Sequence, residues 1–332
     1  MEVLSLSWAP FGHRMDELSR AVGGKRVSIT VLYGPRYFAP LRYVVLFLWT
    51  LILLTVQGPD VVYAQNPPVF CPLASLLYCR MARKRLVIDH HSVWRLKTIG
   101  GVVGKGIGFL ESFVASSAYM NTTVHEDWAA ELRKMSANQV LVVHDFVARN
   151  PKPRDQKVRE KYAQTPIVAI ASHGGHPLER LEAEVGAAST LKGVTLLVTG
   201  PPSKLAGRVH DLPSNVKFLG MLPMDEYLSL KASVDIALNI TDEPYTLSHV
   251  IFEYMASSLP VLSSPQKVVR DLFGDSLLYA DDSTRDAVAK KLQQLSGNAA
   301  LLSEYRSRAR TTHENLQQLH EIEVKELRAR LE

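Results

Sequence analysis

Short runs rich in β-branched residues alternate with segments of helical periodicity along the whole chain, and the alternation stops once and then restarts. The first series of strand candidates is 3–8, 26–33, 61–65, 86–89, 120–124 and 140–143. Residues 148–166 then bring three prolines and many charges, the composition of a linker. Beyond them a second series follows at 167–171, 195–199, 216–219, 236–240, 260–263 and 277–279. Strands separated by helices pair in parallel, because a parallel crossover needs a dozen or more residues and a helix supplies them compactly. The pattern therefore predicts an α/β protein of two doubly wound, Rossmann-like domains, 1–148 and 149–310. A C-terminal helix over 311–332 is expected to pack back across them. Such sheets bind ligands beyond the carboxyl ends of their strands, so the expected site is a cleft between the domains.

Charge separates the two halves. Residues 1–150 hold 16 Lys/Arg against 10 Asp/Glu, whereas the remainder holds 22 against 23, so the whole excess of +5 lies in the first half. A basic half could face nucleic acid or an anionic membrane, and no nucleic-acid module is evident. The segment 41–57 decides for the membrane, since 44–56 (VVLFLWTLILLTV) carries no charge. Thirteen residues make a helix of about 20 Å, short of the hydrocarbon core of about 30 Å. This leaves a buried crossover helix or a helix that lies at a bilayer interface. In the second case Leu46, Phe47 and Trp49 would insert, and Arg36, Arg42, Arg80, Arg83, Lys84 and Arg85 would meet lipid phosphates. The expected location is peripheral or monotopic, on the cytoplasmic face of a membrane. Cys71 and Cys79 fit neither a disulfide framework nor a zinc site and read as reduced core residues, and no secretory signal is visible.

The stretch 236–263 runs strand, loop, helix (LSHVIFEYMASS) and strand. Its helix begins near Ser248 and His249, where unpaired backbone N–H groups and the helix dipole favour a phosphate. Glu253, one turn on, is placed to accept hydrogen bonds from the vicinal hydroxyls of a ribose. Ser172, His173, Gly174, Gly175 and His176 follow the first strand of the second half, where glycine permits close backbone approach to an anion. Gly200 and Gly220, after the next two strands, are expected on the same donor side. The glycines from Gly100 to Gly108 lack the Gly-Lys-Ser/Thr ending of a phosphate loop and read as a flexible lid or turn. The eleven histidines show no metal-ligand spacing, and there is no Asp-x-Asp pair. Neither a metal nor a cofactor is expected.

Phe252-Glu253-Tyr254-Met255-Ala256 followed by Leu259-Pro260-Val261 resembles the donor-binding segment of GT-B glycosyltransferases of the family-4-like group. Tyr245 stands where that group usually has a second glutamate, and the Arg and Lys that usually follow the first strand of the second domain are missing. In the first half, Gly12-His13-Arg14-Met15, Gln65-Asn66-Pro67-Pro68, Ile88-Asp89-His90-His91, Glu111 and Val143-His144-Asp145 occur in that order. Together they are similar to the β-1,4-mannosyltransferases that add the first mannose to a chitobiosyl-diphospholipid, and to their prokaryotic relatives. The resemblance implies inverting transfer of a hexose from a nucleotide-sugar, GDP-mannose or a UDP-sugar, to a lipid-linked glycan acceptor. In-line attack needs a base, for which His13, Asp89 and His91 are the candidates. Gly12, Arg14, Asn66 and Glu111 are expected on the acceptor side. A sugar-nucleotide epimerase of the same fold and a catalytically silent membrane anchor for another transferase are the competing readings.

Overall fold

The computed structural model describes every residue except 10–11, 31–37, 92–99, 136, 150–151, 176–177, 206, 210–211 and 243–245. The chain divides into two compact units, Met1–Asp145 with Leu319–Glu332, and Phe146–Gln318.

In the first unit β1 (Val3–Ser7), β2 (Lys25–Ser28), β3 (Val61–Asn66), β4 (Arg85–His90), β5 (Met120–Thr123) and β6 (Val140–Val142) form one parallel sheet, ordered β2-β1-β3-β4-β5-β6. The two-residue period of a strand assigns alternate side chains to opposite faces. Leu4, Leu6, Val62, Ala64, Leu86 and Ile88 pack on one side with α2 (Ala39–Gln57), α3 (Phe70–Ala82) and α4 (Gly101–Ser117). Val3, Val61, Tyr63 and Val87 pack on the other with Leu18 of α1 (His13–Ala21) and with Leu327 and Leu331 near the chain's end. Helix α5 (Glu126–Lys134) adds a small cluster around Trp128 and Leu132. Cys71 and Cys79 are free thiols buried in the first of these cores.

Helix α2 starts with a proline in its first turn and stops at Gly58, which adopts the left-handed conformation and donates its N–H to Leu54 O. At 19 residues it is about 28 Å long, longer than its charge-free stretch, and it is long and apolar enough to cross a membrane by length and composition. It is not a buried crossover helix. Only Leu46, Thr50 and Leu54 are buried, whereas Leu41, Val44, Leu48, Trp49, Ile52 and Val56 are exposed. Leu46 therefore belongs to the core, contrary to its expected insertion, because it falls on the stripe that faces the sheet. The glycine-rich segment also departs from expectation. Gly101, Gly104, Gly106 and Gly108 lie within α4 and form no lid or turn. Burial of Glu111, Val114 and Ala115 holds that helix, against a cost of about 1 kcal/mol per helical glycine.

In the second unit β7 (Ile167–Ser172), β8 (Val194–Thr199), β9 (Val216–Gly220), β10 (Ile236–Asn239), β11 (Val261–Ser263) and β12 (Leu278–Tyr279) form a parallel sheet ordered β12-β11-β10-β7-β8-β9. Val168, Ile170, Leu197, Ala237 and Val261 share a core with α9 (Met224–Ser233), α10 (His249–Ala256) and α11 (Lys267–Phe273). Ala169, Ala171, Leu196, Val198, Leu238 and Leu262 pack against α7 (Leu181–Ser189) and α12 (Arg285–Ser296). The expected linker holds a helix of its own, α6 (Gln156–Tyr162), capped by the Asp155 carboxylate accepting from Lys157 N at 2.8 Å. A four-residue helix, α8 (Pro202–Leu205), follows β8. The last helix, α13 (Ala299–Leu331), places Ala309 and Leu316 in the core of the second unit and Leu327 and Leu331 in that of the first. Both sheets reverse strand order at an inner pair, β1/β3 and β7/β10, and a doubly wound sheet opens a crevice at the carboxyl end of such a pair.

Candidate active site

At the second unit's reversal point the chain leaves β7 at Ser172 and β10 at Asn239, and α10 follows β10. A chain of hydroxyls ends there on Glu253. Thr199 Oγ1 donates to Ser172 Oγ at 2.9 Å, and Ser172 Oγ lies 3.0 Å from the Tyr227 hydroxyl, which donates to Glu253 Oε2 at 3.0 Å. Each hydroxyl has one proton, so the donation runs one way, from Thr199 to Glu253. Lys231 Nζ also donates to Glu253 Oε2 at 2.8 Å, and its side chain is almost wholly buried. Burial alone would raise the Glu253 carboxyl, but Lys231 holds it below the usual carboxylate range. Lys231 itself is lowered by burial, and Glu253 opposes that. Among the described residues Glu253 Oε1 has no hydrogen-bond partner, and the side chain keeps 20% of its exposure. This is a fixed anion with one oxygen open to donors. Tyr227 and Lys231 were missed by the sequence reading, and their only signal was a tyrosine and a lysine four apart on α9.

Ser248 precedes the first turn of α10 in an extended conformation, and no side chain caps that turn. His249 is half-buried, with its ring 6.4 Å from that of Phe252. The glycine loop after β7 is arranged differently. Its N–H groups at Gly174 and Gly175 donate to the Glu179 carboxylate, both at 2.9 Å, so a protein anion already sits where phosphate was expected. His173 is buried between Glu184, 2.6 Å from Nε2, and Glu179, 3.3 Å from Nδ1. Burial would lower its pKa, but the two carboxylates outweigh it and push it up to about 10. Glu184 also accepts from Ile240 N, so this imidazolium ties the ends of β7 and β10 together. Gly200 has φ +142°, and a Cβ there would come within 2.3 Å of His173 O, so only glycine fits. Its N–H donates to Gly220 O at 3.1 Å. Residues 176 and 245 lie outside the described residues.

At the first unit's reversal point the strongest feature is a buried ion cluster. The Arg14 guanidinium grips both Asp89 oxygens at 2.9–3.1 Å, then reaches Asp145 Oδ1 at 2.8 Å and Val143 O at 2.7 Å. Thr122 Oγ1 adds a bond to Asp89 at 2.9 Å. Two carboxylates outweigh the burial that would otherwise lower the Arg14 pKa, so it stays charged. Asp89 is fully buried with its oxygens engaged, which sets it apart from the proton acceptor that the sequence allowed. Three of the motif segments thus clamp the ends of β1, β4 and β6 together. His144 belongs to the same construction, since its N–H and Nδ1 both contact the Glu323 carboxylate.

Beside the clamp, Asn66 Nδ2 donates to Glu111 Oε2 at 2.6 Å and lies 3.3 Å from His90 Nδ1, while His90 Nε2 meets Asn121 Oδ1 at 2.9 Å. Burial pushes the Glu111 carboxyl up to about 7, partly opposed by Asn66. Among the described residues the Oδ1 of Asn66 is buried without a partner. Gly12 is half-buried, whereas His13 and His91 are exposed. His91 sits immediately after β4 and donates its N–H to Asn66 O at 3.0 Å.

Residues 180–323, which contain the hydroxyl chain's end and α10, match the family model described as glycosyl transferase-like. The chain has the GT-B fold. Its fold is similar over nearly the whole length to Anabaena HepE crystallised with UDP and glucose, with a TM-score of 0.76, 14% identity, and 99% of this chain and 100% of that one covered. Sucrose-phosphate synthase from Thermosynechococcus elongatus is similar with a TM-score of 0.79 and 14% identity, covering 98% and 97%. A glycosyltransferase from Rickettsia africae gives 0.67 and 13%, covering 98% of each. No curated protein matches the chain. At these identities the neighbours establish the shared fold.

Proposed function

We propose that this protein is a glycosyltransferase that moves a hexose from a UDP-sugar to a lipid-linked acceptor at a membrane surface, with inversion and without a metal or cofactor. The observation that carries the donor side is Glu253, whose Oε2 is fixed by Lys231 and Tyr227 while Oε1 remains open. A rigid carboxylate with one open oxygen suits the hydroxyl pair of a ribose, and the uncapped first turn of α10 suits the diphosphate. UDP is preferred over GDP because HepE, in the same fold, is described with UDP and with UDP-glucose. Gly174 joins the donor site only if Glu179 moves aside. His13, the first residue of α1, and His91, immediately after β4, are the proposed proton acceptors, since both are exposed and an imidazole nitrogen can accept a proton. Glu111, pushed up to about 7 by burial, competes for that role.

The acceptor reading rests on the outer face of the first unit. Exposed Leu48, Trp49, Ile52 and Val56 on α2 are joined by Leu77 and Met81 on α3 and by Val102, Phe109 and Phe113 on α4. Arg80 lies over the Phe113 ring at 5.3 Å, and Arg83 is exposed nearby in sequence. Lys84, by contrast, is paired with Asp60. Exposed apolar residues on three neighbouring helices, with cations among them, fit an anionic bilayer, on the cytoplasmic side, with the protein bound peripherally or monotopically. The test is calorimetric titration of the purified protein with UDP, GDP, dTDP and CMP, followed by their sugars. The expected result is saturable binding of UDP that Glu253→Ala weakens. Equal affinity for all four nucleotides, or none, would overturn the donor assignment.

A further inference from the structure

Between α2 and the start of α3 the first unit carries an open groove of about 500 Å³. Its walls are Pro40, Tyr43, Val44, Phe47, Leu48 and Phe70, with almost no polar surface among them. The volume is within the range of sites that hold small ligands, about 300 to 1000 Å³, yet this lining could not orient a sugar or a nucleotide. Two ring contacts fix where the groove lies. Tyr43 packs against Phe70 at 5.2 Å and against Trp8 at 6.2 Å. Trp8 directly follows β1, and Phe70 follows β3 after the Asn66-Pro67-Pro68-Val69 segment. One wall of the groove, Phe70, thus follows Asn66 by four residues, and another, Tyr43, rests on Trp8 just after β1. Val44 and Leu48 belong at once to the groove and to the exposed stripe of α2. The Arg42 guanidinium lies over the Tyr43 ring at 5.5 Å, which puts a cation beside an otherwise apolar channel.

We infer that this groove holds the first part of the acceptor's lipid chain, with Arg42 facing the phosphate that joins lipid to glycan. The inference rests on the lipid-linked acceptor proposed above and adds where that lipid sits. An apolar groove with a guanidinium over the ring of one of its walls, Tyr43, and with Val44 and Leu48 shared with a surface stripe suited to a bilayer, matches an alkyl or isoprenyl phosphate. A chain leaving such a channel stays in an apolar medium all the way.

The probe is farnesyl phosphate, titrated calorimetrically below its micellar concentration into wild type, Val44→Trp, Leu48→Trp and Arg42→Gln. Co-sedimentation with vesicles of phosphatidylcholine and phosphatidylglycerol runs in parallel. Val44 and Leu48 are exposed, so tryptophan at either site fills the groove without overpacking the core, and the face stays apolar. Wild type should bind saturably, and each tryptophan variant should bind about tenfold more weakly or not at all while sedimenting as wild type does. Arg42→Gln should weaken farnesyl phosphate about fivefold and leave farnesol unchanged. Unaltered binding in both tryptophan variants would overturn the inference. So would a wild type that sediments with vesicles yet ignores the probe, an outcome that leaves the membrane reading standing. Probe binding without sedimentation would keep the groove and remove the membrane surface. A dimer that becomes monomeric in Val44→Trp would assign the groove to a second copy of the chain and overturn the lipid.

Discussion

Both sheets reverse strand order at an inner pair, but the carboxylates of the two units are satisfied to different degrees. In the first unit Arg14, Asp89 and Asp145 satisfy one another, and Asp89 has no exposure at all. In the second, Lys231 and Tyr227 take one oxygen of Glu253 and leave the other open. A carboxylate on a strand thus serves as a structural clamp in one domain, and a carboxylate on a helix stands as a ligand-ready anion in the other. The helices differ in the same sense. Helix α10 buries Ile251, Phe252, Tyr254, Met255 and Ala256, whereas the longer and equally apolar α2 buries only Leu46, Thr50 and Leu54. Apolar content alone does not say whether a helix is core or interface.

Substitutions and pH titrations break or sharpen this contrast. The largest effect is expected from Asp89→Ala, which strands part of a buried guanidinium and should cost about 3–5 kcal/mol in a denaturant melt. A loss below about 1 kcal/mol would mean that the clamp does not hold the first unit. Next comes pH. Glu111 has an ordinary value of 4.5 raised to about 7, so its protonated form favours the folded state. That contribution is whole below about 4.5 and is lost as pH rises through about 7, amounting to at most about 3 kcal/mol. Glu111→Gln should flatten the stability profile in that window. His173, raised to about 10, acts later, since its contribution is whole below about 6.5 and lost as pH rises towards 10. His173→Gln should therefore remove a decline on the alkaline side only.

Smaller in energy but sharper in meaning is Glu253→Ala. It should weaken UDP binding by about 1–3 kcal/mol in calorimetry while the protein still melts cooperatively. Its complement is Glu253→Gln, which keeps an acceptor but loses the ion pair with Lys231 and should lie between alanine and wild type. The least change in stability is expected from the Leu48/Trp49/Ile52 triple serine variant, within about 0.5 kcal/mol because all three are exposed. Phe252→Ala in α10 should cost about 3–5 kcal/mol by comparison. The triple variant should lose vesicle binding at high salt, where screening has removed the cationic contribution. If it sediments as wild type does, α2 is not the membrane-facing helix.

Much of the architecture was legible in the chain. Among the described residues eleven strands fall within one residue of where the β-branched runs put them, because a buried parallel strand must be apolar on both faces and that composition is local, whereas β2 (Lys25–Ser28), partly exposed and largely polar, takes up only the start of the expected 26–33. The helix of the donor segment was legible too, from its loop, its first turn and the apolar spacing of Ile251, Phe252 and Met255. The site was legible in part. Sequence position brought Ser172 and Glu253 under notice, but Tyr227 and Lys231, which fix Glu253, lie 26 and 22 residues before it and carry no motif.

What the sequence by itself determined is periodicity: two parallel sheets, the break between them, and one helix too apolar to be an ordinary surface. Periodicity is set by neighbours along the chain, so one dimension suffices to read it. What only the tertiary structure decided is which polar groups spend their charge on each other. Asp89 reads as a base until Arg14, 75 positions earlier, is found gripping it. The glycine loop reads as a phosphate site until Glu179 is found filling it. Leu46 reads as an anchor until the helix turns it inward. A carboxylate's role follows from what lies within about 3 Å of its oxygens, and neighbours at that range come from distant parts of the chain.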